Sequence, residues 1–150
     1  LYIAYYASTE MNCHLSIGWT LPNSLLDLFC EFRCQNNGLR LPVKNNLLGA
    51  LSLHGLEHIS LVEKDEMREL VLRGGPYTIA ERLALLDYCQ TDVDALVALL
   101  PEMASRISID HALIRGRHMK AVARMEFLES LLTYLYLSDY EPTGSPFKTD

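Results

Sequence analysis

Short β-like and helical blocks alternate along the first third of the chain. Residues 1–6 are apolar and aromatic, a pattern typical of a short buried strand. Ser8 or Thr9 can cap a following helix, which Gly18 would end. The apolar stretch 24–29 predicts a second strand that runs directly into a helix.

Helical signals dominate the rest of the chain. Asn46 is placed to cap a short helix over Leu47–His54. A second helix is expected from near Lys64 to Gly74. Thr78 and Glu81 have the spacing of a capping box, which predicts that a third helix begins there.

The third helix carries a recurring set of apolar residues that we expect to form one buried stripe. They are Leu83, Leu86, Val93, Leu96, Val97 and Leu100. Pro101 is predicted to interrupt this helix or to open the next one. A late helix is predicted over residues 110–127. Strands early in the chain followed mainly by helices favour an α/β or α+β domain.

Tyr88 and Asp92 are the first candidates for chemistry. They are four residues apart in the third helix, so both side chains lie on one helical face. A carboxylate there can hold a divalent cation while a tyrosine hydroxyl orients a water molecule, which suits phosphodiester hydrolysis. The alternative without catalytic chemistry is that Tyr88 is a core aromatic residue and Asp92 a solvated acid.

Composition bounds the class of protein. The 150 residues suit one ordinary domain or parts of two, and 49% hydrophobic with 21% charged residues is typical of a soluble globular protein. No apolar run reaches the roughly 18 residues of a membrane span. A net charge of −6 argues mildly against a protein that coats nucleic acid, but it does not exclude an enzyme whose acids bind metal.

The four cysteines, in a chain without an export signal, are expected to be reduced thiols of a cytoplasmic protein. Cys30 and Cys34 could join His54 and His58 in a zinc site. Zinc sites more often show Cys-x-x-Cys, so buried free thiols are the favoured interpretation.

The order of these parts resembles the second and third motifs of the DEDD-type 3′–5′ exonucleases, and more narrowly the exonuclease portion of A-family, DNA polymerase I-like enzymes. The third motif, Tyr-x-x-x-Asp, matches Tyr88 and Asp92. The second motif matches the stretch 5–10, where Glu10 takes the acidic place and Tyr6 stands where Asn is usual. The resemblance covers about residues 1–128 and implies a partial RNase H-like fold, helix-rich after the first strands.

The resemblance also implies roles for these residues. Asp92 and Glu10 would bind metal, in an intact domain that holds two Mg²⁺ or Mn²⁺ ions. Tyr88 would orient the attacking water, as in the DEDDy branch of the family. Asp27 is similar to an acid that positions other groups in such domains and does not bind metal.

The first motif of this family, Asp-x-Glu on an early strand, would precede everything in this sequence. Its acids supply shared metal ligands, so this chain by itself is expected to be a poor nuclease or none. The opening of the chain, without Met or a signal peptide, suggests that it was cut from a longer protein, and an incomplete sheet edge predicts poor solubility. One Asp-x-Glu occurs at Asp139–Glu141, where only a circularly permuted domain could use it.

Three segments follow from the resemblance. Residues 1–107 would be the partial exonuclease domain, 108–128 a connector helix toward a polymerase domain in cis, and 129–150 a tail. Codons of 129–133, read in a neighbouring frame, can spell Val-Pro-Ile-Asp, a stretch that the family tends to have here. We therefore expect the tail to be frameshifted.

The late helix carries the one basic stripe of an acidic chain, formed by Arg117, Lys120 and Arg124 with Arg115 beside them. Such side chains could contact the phosphate backbone of DNA at a 3′ end without reading its sequence. A solvated face of a connector helix is the alternative.

The sequence therefore predicts a proofreading-type 3′–5′ exonuclease portion of a DNA polymerase, with no membrane partner. A catalytically dead scaffold that positions DNA is the second hypothesis. The third is an unrelated helical interaction domain in which Tyr-x-x-x-Asp occurs by chance.

Overall fold

Two short parallel strands and six helices make up residues 1–56 and 61–139, the part of the chain that the computed structural model describes. In chain order the elements are β1 (Tyr2–Ala4), α1 (Ala7–Ser16), β2 (Leu25–Asp27), α2 (Leu28–Gln35), α3 (Leu47–Leu53), α4 (Leu61–Arg73), α5 (Ile79–Ala104) and α6 (Ile109–Asp139). The mixed α/β class predicted from the sequence is confirmed, with helices predominating.

The strands pair in parallel, so α1 is the crossover between them. Tyr2 is paired with Leu25 and Ala4 with Asp27. Both strand predictions are confirmed, including the second strand that continues without a break into α2. Parallel pairing requires such a crossover, because the chain must return to the end of the sheet where the first strand began before the second can run in the same direction.

The N-terminus of α1 is capped from β2 and not from its own sequence. Tyr6 has a left-handed backbone with φ of 71°, and the helix begins at Ala7. Asp27 Oδ1 accepts from the Tyr6 N–H and Asp27 Oδ2 from the Ala7 N–H, both at 3.1 Å. The predicted cap at Ser8 or Thr9 is therefore wrong, because a distant carboxylate satisfies the free N–H groups that a local side chain would otherwise bind.

The other two predicted caps are confirmed. Asn46 Oδ1 accepts from the Gly49 N–H at 2.8 Å at the start of α3. Thr78 and Glu81 form both bonds of the capping box that opens α5. These signals succeed because donor and acceptor lie within one helical turn of each other.

Two groups of buried side chains form the core on the two sides of the strand pair. One joins β2, α2 and α3 to the end of α5 and the start of α6; its members are Leu26, Leu28, Phe32, Ala50, Leu51, Leu99, Met103 and Ala112. The other joins the strands to α1 and α6; its members are Ala4, Ala7, Met11, Leu25, Met119 and Ala123.

Helix α6 packs closely on β2. A side chain at Gly116 would overlap the carbonyl oxygen of Leu25, so only glycine permits this approach. Lys120, one turn later, donates to the carbonyl oxygens of Pro22 and Asn23 at 2.9 and 2.8 Å. Helix α6 is thereby fixed against both β2 and the segment that leads into it.

The apolar stripe predicted to be buried on α5 is mostly exposed. Of its residues, Leu83, Leu86, Val93 and Val97 are between 51% and 69% exposed, and only Leu96 and Leu100 are partly buried. The buried side chains of this helix are Leu99 and Met103. That prediction was wrong because helical periodicity shows that a stripe exists but not which neighbour covers it.

Helix α5 also continues through Pro101, contrary to the predicted interruption. Proline removes the N–H that would bond to the carbonyl of Val97. Both residues face solvent, where water can satisfy that carbonyl. Helix α6 is longer than predicted and extends to Asp139, into the segment expected to be a tail. No described helix combines the length and the apolar character needed to cross a membrane.

Candidate functional site

Tyr88 and Asp92 lie on the face of α5 that turns toward the rest of the domain. Both are half-buried, and they share this face with Leu99 and Met103, which belong to the core. The neighbouring acids Asp87 and Asp94 are exposed. The structure thus separates the motif acid from the acids that flank it.

Glu10 lies on α1 and is half-buried. Its Oε2 atom is enclosed and has no hydrogen-bond partner. The pKa of the Glu10 carboxyl is raised to about 7, chiefly by burial; a backbone hydrogen bond lowers it, and the charges of Asp27 and Asp92 raise it by smaller amounts. The Asp92 charge, the smallest of these influences, acts on Glu10 from a different helix, α5.

Asp27 organises this side of the molecule. In addition to the two N–H groups at the start of α1, its Oδ1 accepts from the Phe29 N–H at 2.9 Å and caps α2. The thiol of Cys30 donates to its Oδ2 at 3.6 Å. With its carboxylate committed to backbone N–H groups, Asp27 has the contacts of a positioning residue, the role that the resemblance implied.

Tyr5 lies beside Asp27 at the end of β1. Its hydroxyl is enclosed and has no hydrogen-bond partner. Burial raises the Tyr5 pKa above its usual value, and the Asp27 charge adds to the effect. Its ring contacts Phe29 edge-on at 5.8 Å and packs on the core, so its aromatic part is structural.

Glu10 and Asp92 satisfy part of what a divalent cation needs. The Glu10 Oε2 atom is enclosed, accepts no hydrogen bond and is repelled by the charge of Asp92. A bound cation would replace that repulsion between the two carboxylates with attraction. Among residues 1–56 and 61–139, however, no three His, Cys, Asp or Glu side chains meet as a group that could hold a metal ion. The described residues by themselves therefore provide no complete cation site here.

The predicted basic stripe divides into two parts. Arg115 donates through Nε and Nη2 to both carboxylate oxygens of Glu31, each at 2.6 Å. Lys120 is engaged with the two carbonyl oxygens before β2. Arg117 and Arg124 are exposed and remain the members of the stripe that face solvent.

Glu31 is a residue that the sequence interpretation missed. It is 2% exposed and pairs with Arg115, whose side chain is 32% exposed. Its spacing from Leu28 and Phe32, both buried, places it on the apolar face of α2. A charged residue on an apolar helical face is the signal that could have identified a buried ion pair.

Two other sequence hypotheses are only partly covered by the structure. The zinc hypothesis joins Cys30, Cys34 and His54 to His58, and His58 lies outside the described residues. The Asp-x-Glu at the end of α6 includes Glu141, which also lies outside them. All four cysteines are unpaired.

Comparisons of the chain with protein-family models, with curated proteins and with solved structures found no match. The resemblance to the exonucleases therefore depends on the sequence motifs themselves.

Proposed function

We propose that this chain is a portion of a DEDDy-type 3′–5′ exonuclease domain of a DNA polymerase, and that Glu10, Tyr88 and Asp92 belong to its catalytic site. The observation that supports it most is the influence of the Asp92 charge on the pKa of Glu10, since the two acids lie far apart in sequence, on α1 and α5. The unit of β1, α1 and β2, with Asp27 at the end of β2, supports the finer assignment to an RNase H-like fold.

In this proposal Glu10 and Asp92 would hold Mg²⁺ or Mn²⁺. When bound, such an ion lowers the pKa of water and stabilises charge on phosphate oxygens. The half-buried Tyr88, on the same face as Asp92, would orient the attacking water with its hydroxyl. Asp27 would keep the N-terminus of α1 in place and so fix the position of Glu10 beside Asp92.

Further carboxylates are required, because no described group of three or more His, Cys, Asp or Glu side chains could hold a metal ion, and a two-metal site needs several acids. The proposal expects them from an Asp-x-Glu strand encoded upstream. Sequencing the coding DNA on both sides of this segment tests that expectation. An upstream apolar strand without the two acids would contradict an active nuclease.

Metal binding tests the residues directly in the chain as it exists. Titration with Mn²⁺, followed by calorimetry, should detect binding that Asp92→Asn and Glu10→Gln each weaken at least tenfold. Asp94→Asn is the matched control, since Asp94 is an exposed acid two residues from Asp92. Equal affinity in the Asp92 and Asp94 variants would exclude Asp92 as a ligand.

A second candidate function is a catalytically inactive domain that positions DNA beside a polymerase. The incomplete ligand group around Glu10 and Asp92 favours it. This function predicts DNA binding without a requirement for divalent ions, whereas the exonuclease predicts turnover once the upstream acids are present. A cytoplasmic location suits both functions, and unpaired cysteines agree with it.

DNA binding in either case would use Arg117 and Arg124, the exposed members of the basic stripe. Reversing both charges should weaken binding of single-stranded DNA and lower the slope of log affinity against log salt by about 1 to 2. Arg82→Glu, an exposed position on α5, is the control. An unchanged salt slope would show that the stripe is a solvated surface.

A further inference from the structure

An open cleft of about 300 Å³ lies between α2 and α6, and Glu10, Tyr88 and Asp92 are not among the residues that line it. Its walls are Cys30, Arg33, Cys34, Asn37, Arg115 and His118. None of these six side chains is acidic, in a chain whose net charge is −6. The volume is at the lower end of the range for small-ligand sites, enough for a molecule the size of a mononucleotide.

The cationic groups of this cleft are held in place by contacts behind it. Glu31 binds Arg115 through Nε and Nη2, which leaves the other guanidinium N–H groups for a ligand. Arg33 is positioned over the Phe29 ring, 5.5 Å from its centroid. A preorganised guanidinium loses less entropy when it binds a planar or tetrahedral oxyanion.

His118 and Asn37 complete the polar part of the cleft, since each can donate a hydrogen bond. The two thiols and the aliphatic stems of the arginines supply an apolar part. A second cleft shares Arg33 and Asn37 on the side of the 36–45 loop, but its other walls carry no cationic group. An anionic ligand is therefore expected on the α6 side.

We propose that the cleft between α2 and α6 binds a terminal phosphate group, with Arg33, Arg115 and His118 on the phosphate and the apolar part of the ligand against the thiols. The inference does not rest on the exonuclease proposal, because none of its residues belongs to the Glu10, Tyr88 and Asp92 site. The phosphate could belong to a free mononucleotide or to the phosphorylated end of a strand.

Cys34 provides an internal reporter. It is an exposed thiol in the wall of the cleft, while Cys13 and Cys89 are exposed thiols elsewhere. Burial and the nearby Asp27 charge raise the pKa of Cys30 to about 12, so Cys30 reacts little at neutral pH. Alkylation rates of the three exposed cysteines, followed by mass spectrometry, therefore compare the cleft with two unrelated surfaces in the same molecule.

A saturating deoxynucleoside 5′-monophosphate should slow alkylation of Cys34 at least threefold and leave Cys13 and Cys89 unchanged. The corresponding nucleoside, which lacks the phosphate, should not protect. Protection by inorganic phosphate alone would also support the site. Equal protection of all three cysteines, or none, would overturn the proposal.

The double variant Arg33→Gln/His118→Gln should weaken mononucleotide binding at least tenfold by calorimetry and abolish the protection of Cys34. Arg82→Gln, an exposed arginine on α5, should leave both unchanged. An oligonucleotide with a 5′-phosphate that protects better than the mononucleotide would identify a strand end as the source of the phosphate. Equal protection by an oligonucleotide without a terminal phosphate would contradict a phosphate-group site.

Discussion

Helices α5 and α6 each have a packed half and a protruding half. The buried side chains of α5, Leu99 and Met103, lie near its end, and those of α6, including Ala112 and Ala123, lie in its first half. The first part of α5 and the last part of α6 instead expose their large apolar residues. Apolar residues with the same helical spacing are therefore buried in one part of a helix and exposed in another, according to whether a neighbouring element covers them.

The two faces of α5 show the contrast most clearly. The inward face carries Tyr88, Asp92 and Leu99 at the spacing of one stripe. The outward face carries exposed apolar residues spaced by three, four or seven positions; they are Ile79, Leu83, Leu86, Val93 and Val97. The candidate chemistry thus lies on the less continuously apolar face, next to the core.

The largest expected difference in the free energy of unfolding is between alanine variants of the buried Leu99 and the exposed Leu86. Leu99→Ala removes a fully buried side chain from the first core group and should lower the free energy of unfolding by about 3 to 5 kcal/mol. Leu86 is 65% exposed, so Leu86→Ala should change stability by less than about 0.5 kcal/mol. Urea denaturation followed by circular dichroism measures both. Similar losses in the two variants would mean that the outward face is also packed.

The next effect concerns the ion pair that joins the packed half of α6 to α2. Arg115→Leu leaves Glu31 buried without its partner and should cost about 2 to 4 kcal/mol. Arg117→Leu, two residues along the same helix at an exposed position, should be almost neutral. The same denaturation experiment compares them. If Arg115→Leu were also neutral, Glu31 would have to be hydrated and not buried.

Local signals in the sequence predicted much of the fold, because helix caps act within one turn. Asn46 and the Thr78–Glu81 box are examples. The start of α1 could not be predicted in this way, since its cap is Asp27, which reaches it through the strand pairing. The exposure of the α5 stripe was also beyond the sequence, because it depends on which elements are adjacent in space.

The candidate site was predictable to a similar extent. The motifs selected Glu10, Tyr88 and Asp92, and the fold places Glu10 within the electrostatic reach of Asp92. The basic stripe was predicted from helical spacing, which gives a common face but not the partners of each side chain. Arg115 has Glu31 as a partner and Lys120 has two carbonyl oxygens, and both partners come from other elements.

A smaller effect should appear in the pH dependence of stability. Burial raises the folded-state pKa of Glu10 to about 7, above its value in the unfolded chain. The folded protein then binds more protons than the unfolded chain between these two pKa values, so stability falls as pH rises through that interval. The contribution is complete below the unfolded pKa and is lost as pH passes about 7.

Glu10→Gln should remove this dependence and stabilise the metal-free protein at pH 8 by about 1 kcal/mol, because an enclosed charge is replaced by a neutral group. Glu102→Gln, at an exposed position of α5, should leave the pH profile unchanged. Denaturation curves at a series of pH values, recorded with a chelator, provide the measurement. If the free energy of unfolding of the natural chain rose with pH, and Glu10→Gln removed that rise, the pH dependence would have the opposite sign. Such a result would contradict an enclosed Glu10 carboxyl.

The smallest effect on stability should come from the outward face of α5. Leu83→Gln and Val93→Gln each place a polar group where the side chain is more than half exposed, so each should shift stability by less than about 0.5 kcal/mol. Self-association should nevertheless decrease, because contiguous exposed apolar residues promote association. Light scattering over a range of concentrations measures this association, and thermal denaturation of the same samples measures stability.

The melting temperature of the natural chain could rise with concentration while that of the Leu83→Gln/Val93→Gln double variant does not. This result would show that a second copy covers the outward face of α5, since association with a folded partner stabilises by mass action. The outward face would then be packed in the assembly, and the contrast between the two faces of α5 would be one between an intramolecular and an intermolecular core.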